Sequence, residues 1–228
     1  MADSEIRAKS FKGAGPVDTD LRTVLHGLVT TDWIATAIAR GFGWMTDVGG
    51  GTSPITGGGA GTVFDAEQPE LAIDVPTGFI FVPLSASIQI EHAVDLTDAQ
   101  VTEAEIFIDR TQTMGVSSTT GTRETPINMR SDIVGGCPCD VISAVTGDLS
   151  TGTPVISQVL ARLQIEKEVV TAVDEFYIQT RVDYEPESPL LVVGPAAFML
   201  WWAGAAAQAG YAQVTFLAIP EALATTLS

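Results

Sequence analysis

From Leu71 to Gln112 the chain reads as strand after strand, with stretches that alternate with a period of two and little room for helix. Ile88, Ile90 and His92 fall on one side of the alternation, and Gln89, Glu91 and Ala93 on the other. Ile106 and Ile108 alternate in the same way with Glu105, Phe107 and Asp109. Successive side chains leave opposite faces of a pleated strand, so such a pattern belongs to a half-buried strand. A second long alternation runs through Phe176, Ile178, Thr180 and Val182. Shorter runs at Pro126–Arg130 and Val141–Val145 also read as strands, with turn residues between them. Many short strands without a strand–helix–strand rhythm predict an all-β, jelly-roll-like antiparallel sandwich with little helix.

The C-terminal third raises the question of a membrane. No charged residue occurs from Ser188 to Pro220, and LLVVGPAAFMLWWAGAAA is long enough to span a bilayer. Pro195, Gly194, Gly204 and Gly210 divide it, and no Lys or Arg flanks it as an oriented span requires. The run therefore reads as strands at Leu190–Val193, Phe198–Ala203 and Ala212–Ile219, buried on both faces by sheet packing or a neighbouring subunit. In such a strand Trp201 and Trp202 point to opposite faces, which makes one a core residue and the other a candidate partner contact.

The remainder divides into three parts. Residues 1–20 form an arm in which Arg7, Lys9 and Lys12 concentrate positive charge, and these three are the other candidate partner-binding residues. Residues 21–62 are a helix or loop extension: Leu21 to Ala39 has loose helical spacing, with Thr30, Thr31 and Asp32 able to cap a short helix at Trp33. It ends in a glycine-rich connector, Gly49 to Gly61. Residues 63–228 are the sandwich. No signal segment opens the chain, since MADSEIRAKSFKG lacks an apolar core. A net charge of -17 repels phosphate backbones and anionic lipid heads, which argues against nucleic-acid and membrane partners.

Motifs for chemistry are sparse. The glycine triplets lack the lysine of a phosphate-binding loop. His26 and His92 sit in no triad or zinc motif. Glu103 with Glu105, and Asp183 with Glu185 and Glu187, share strand faces; they read as solvated edges, with a carboxylate-based glycan hydrolase or lyase as the rival reading. Asp18 and Asp20 add oxygen ligands without calcium-loop spacing. Cys137 and Cys139 flank Pro138 and read as reduced thiols in a loop, a bridge at that spacing being strained, with a redox or crosslinking role as the alternative. No cofactor, metal or catalytic set emerges.

The order of these pieces resembles tailed-phage virion structural proteins with a jelly-roll body, of the capsid decoration or cement kind. The resemblance rests on VPTGFIFVPLSASIQIEHA, EAEIFIDRTQ, SSTTGTRETPINMRSD, PLLVVGPAAFMLWWAG and QVTFLAIPE, across most of residues 40–221. It implies a non-enzymatic subunit located in the virion, stabilising the head by contacts with the major capsid protein and closing as a homotrimer. The alternatives are a fibre head or host-attachment module that binds a receptor or glycan, and a bacterial or archaeal surface domain.

Overall fold

The computed structural model describes residues 33–57, 65–91, 100–116, 121–133, 135–145, 149, 153–167, 179–204 and 208–225. Arg7, Lys9 and Lys12, residues 21–32 and both histidines lie outside them. Among these described residues thirteen strands run in chain order from β1 (Gly43–Val48) and β2 (Ile55–Thr56) to β3 (Leu71–Val75), β4 (Phe79–Glu91) and β5 (Gln100–Asp109). Three short strands follow: β6 (Thr122–Glu124), β7 (Ile127–Asn128) and β8 (Asp140–Ser143). The chain then forms β9 (Gln158–Lys167), β10 (Gln179–Tyr184), β11 (Val192–Val193), β12 (Ala196–Gly204) and β13 (Ala209–Pro220). Among the described residues two short helices, α1 (Trp33–Ala39) and α2 (Glu221–Thr225), flank them.

The strands form two antiparallel sheets. One has the order β10-β4-β13-β1-β7, with β11 on β4 and β2 on β13; the other is β6-β8-β3-β12-β5-β9. Eight of them pair as a nested hairpin, β1 with β13, β3 with β12, β4 with β10 and β5 with β9. Further pairing of β4 with β13 and of β5 with β12 wraps this hairpin across two layers. That winding is the jelly roll, an all-β sandwich.

The inner faces meet in one core. Ile73, Ile106, Phe198 and Trp202 from one sheet pack with Phe81, Ile88, Val214 and Phe216 from the other. Phe81 centres an aromatic cluster, 5.3 Å from the Phe198 ring and 4.9 Å from Phe216. Two smaller clusters seal the outer faces. α1 lays Ala37 over Val82 and Leu217. Loop residues Met114, Val145 and Leu149 cover Ala72, Phe107, Met199 and Trp201 on the other sheet. This is why β12 reads as an unbroken apolar run: both of its faces are buried.

The structure changes two parts of the sequence reading. Residues 43–48 lie in the 21–62 extension but form β1, an inner strand between β13 and β7 that sends Trp44 and Val48 into the core. The extension is thus partly woven into the sandwich. β9 has no counterpart among the predicted strands. Its apolar residues do not alternate cleanly because the register with β5 shifts between Ile106 and Phe107, leaving Val159 outside and Ala161 and Leu163 against the core. The short helix expected at Trp33 is present as α1.

Candidate functional site

The outer face of the β3–β12–β5 sheet carries acidic groups where an ordinary sandwich face meets water. Asp140 pairs with Asp74 across β8 and β3, Asp74 with Ala197 across β3 and β12, and Ala197 with Asp109 across β12 and β5. Three carboxylates therefore lie along one row. Asp74 and Asp109 are buried, whereas Asp140 is exposed and ion-paired with Arg123.

The buried pair anchors loops. The amides of Met114 and Val116 donate to Asp74 Oδ1 and Oδ2 at 2.7 and 3.0 Å. Burial raises the Asp74 proton affinity, and the amides of Val116, Met114 and Gly115 oppose that rise. Asp109 Oδ1 accepts from the amide and hydroxyl of Thr111 at 2.7 and 2.5 Å, and its Oδ2 accepts from the Val155 amide at 2.7 Å. Farther along the sheet, Glu70 Oε2 accepts the Trp202 amide at 2.7 Å. Glu105, also buried, meets Arg162 Nε at 2.8 Å; burial raises its proton affinity and Arg162 lowers it.

Beside Asp74 and Asp140 lies a cavity of about 370 Å³, walled by Thr77, Thr113, Gly115, Val116 and three prolines, Pro76, Pro138 and Pro195. Cys137 and Cys139 flank Pro138; Cys139 is buried in the main core and Cys137 is half-buried against it. Interaction with Cys139 lowers the Cys137 pKa, while interaction with Cys137 and burial raise that of Cys139. No group of three or more metal-ligating side chains occurs among the described residues.

The structure places the other sequence candidates as follows. Trp201 and Trp202 do point to opposite faces, but both are 0% exposed. Trp202 lies in the inter-sheet core and Trp201 beneath the loops over the outer face. The expectation that one of them serves as a partner contact is thus corrected: the loops seal the face that a bare strand would have left open. Gly57 and Gly210 fit against the Trp202 ring, where an added Cβ at Gly210 would lie 3.0 Å from Nε1. Glu103 and Glu105 share the outer face of β5, whereas Asp183 projects from β10 in the opposite sheet, paired with Arg181. The exposed apolar side chains lie at sheet edges instead: Val155, Ile156 and Val159 at β9, Ile127 and Met129 at β7, and Leu191 and Val193 at β11. The irregular β9 pattern concealed the first group from sequence reading. Arg7, Lys9, Lys12, Asp18 and Asp20 lie outside the described residues.

No family model, curated protein or solved structure matches the chain. No helix among the described residues is long and apolar enough to cross a membrane.

Proposed function

We propose that this chain is a non-enzymatic structural subunit of a phage virion, a capsid decoration or cement protein that self-associates and binds the major capsid protein. The observation that carries this reading is the apolar flank of β9, where Val155, Ile156 and Val159 are 53%, 40% and 45% exposed beside a strand edge that no other described strand pairs. An open edge with apolar side chains is a template for association with another chain. The jelly-roll winding supports the reading by fold analogy alone. The charge of -17 makes copies repel at long range, so their association should tighten as salt screens that repulsion.

The test is light scattering after size exclusion at low and high salt, combined with binding to expanded, undecorated capsids. A trimer that tightens with salt and binds the capsids is expected, as is loss of both properties in a Val155→Ser, Ile156→Ser, Val159→Ser variant with an unchanged melting curve. A monomer at all concentrations that leaves capsids bare would refute the reading. The cavity favours one alternative, a host-attachment module: Asp74, Asp140, Thr77 and Thr113 could meet sugar hydroxyls there. Glycan-array binding lost in Thr113→Val, without capsid binding, would favour it.

A further inference from the structure

The ends of three strands meet beside the acidic row. Asp74 pairs with Asp140 and Val75 with Ala196, so β3 ends where β8 and β12 begin. A proline stands just outside each of these ends: Pro76 after β3, Pro138 before β8 and Pro195 before β12. A missing amide hydrogen interrupts no ladder there, and all three residues wall the cavity of about 370 Å³. Residues 113–116 supply a further wall. Gly115, at φ 65°, turns this loop so that the Met114 and Val116 amides both reach Asp74.

The cavity is chemically one-sided. Its ionisable lining groups are the carboxylates of Asp74 and Asp140; no Lys, Arg or His among the described residues lines it. The hydroxyls of Thr77 and Thr113 accept as well as donate. Asp74 is only 6% exposed, and a buried charge is ordinarily paired or bound to a metal. The groups acting on Asp74 are amides and the like charge of Asp140, none of them cationic. A carboxylate has about four acceptor sites, so the amides of Met114, Gly115 and Val116 leave it capacity for a further donor. Asp140 is paired with Arg123, but through an exposed contact that a ligand can displace.

We propose that this cavity binds an alkylguanidinium cation, the head group of an arginine side chain, between the carboxylates of Asp74 and Asp140. A metal ion fits less well, because no group of three or more metal-ligating side chains occurs among the described residues. A planar guanidinium directs several N–H donors at carboxylates and hydroxyls, and its faces pack flat against proline rings. An ammonium lacks that plane, and a neutral ligand leaves the Asp74 charge uncompensated. Arg123 is the built-in competitor, holding Asp140 until the ligand takes its place. The site is separate from the β9 edge, so its test reads neither self-association nor capsid binding.

The experiment titrates the isotope-labelled full chain with butylguanidinium chloride at constant ionic strength and follows backbone amide shifts. Saturable shifts at Met114, Gly115, Val116 and Asp140 are expected, and the neutral isostere butylurea should produce none. Asp140→Asn should weaken binding about tenfold. Arg123→Gln should tighten it roughly two- to fivefold, because it removes the competing cation of an exposed pair. Should Asp140→Asn fail to fold, Arg123→Gln decides. N-acetylarginine amide separates the sources of the ligand: binding as tight as that of butylguanidinium means that the cavity admits an arginine on a polypeptide, whereas weaker binding means that it takes a free guanidinium compound. The proposal is overturned if butylurea shifts the same amides as strongly, if the shifts spread over the acidic surface without saturating, or if Arg123→Gln binds no more tightly than wild type.

Discussion

Removing the Asp109 carboxylate should loosen two separate loops at once. Asp109 is 0% exposed, and it accepts from the amides of Thr111 and Val155, residues that follow β5 and precede β9. In Asp109→Ala both amides lose a charged acceptor, as does the Thr111 hydroxyl. Hydrogen bonds to a charged group contribute about 1.5–3 kcal/mol each. Thr111 and Val155 are themselves exposed, so water can partly replace the lost acceptor by opening the loops. The expected loss is therefore about 2–4 kcal/mol, below the full sum of the bonds. Asp183→Ala is the matched control, because Asp183 meets Arg181 in an exposed ion pair whose loss should cost about 0–1 kcal/mol. Urea unfolding followed by circular dichroism, with linear extrapolation, measures both, and hydrogen exchange at the Val155 amide should quicken in Asp109→Ala alone. Equal stabilities for the two variants, within about 0.5 kcal/mol, would refute the loop-anchoring role.

Three further outcomes follow from the same geometry. Phe81→Ala should destabilise by about 3–5 kcal/mol in urea, because the ring fills the space between Phe198 and Phe216; a loss below about 1 kcal/mol would mean the core collapses around it. Gly210→Ala should cost roughly 1–3 kcal/mol and shift the tryptophan emission, since the new Cβ would press on the Gln89 carbonyl at 2.8 Å and on the Trp202 ring; an unchanged spectrum and melt would contradict that packing. Glu105 holds its proton more tightly folded than unfolded, so its stabilising contribution is complete below the unfolded value of 4.5 and is lost as pH rises through the folded value. Glu105→Gln should accordingly flatten the dependence of the urea midpoint on pH above 4.5, and curves that run parallel would show that Glu105 does not titrate as its burial requires.

Much of the fold was legible because strands write themselves in side-chain alternation. The period of two at Ile88–Ile90 corresponds to buried positions in β4, and the charge-free C-terminal run corresponds to β11, β12 and β13. The strands missed were those with weak or interrupted periodicity. β1 is short and glycine-flanked, with only Trp44, Thr46 and Val48 to mark its inward face. β9 carries a register shift that breaks the alternation. The acidic row was illegible for another reason: Asp74, Asp109 and Asp140 are far apart in sequence and meet only through strand pairing.

Local pattern alone determined that this chain is a β sandwich, that its charge-free run from Ser188 to Pro220 forms strands, and that Trp201 and Trp202 face opposite ways, since these depend on the short-range geometry of a strand. Tertiary structure decided that both tryptophans are sealed, that the buried carboxylates are loop anchors, and that apolar side chains emerge at β9. Burial and hydrogen bonding depend on which distant segments cross a given face, and no alternation within one strand encodes that.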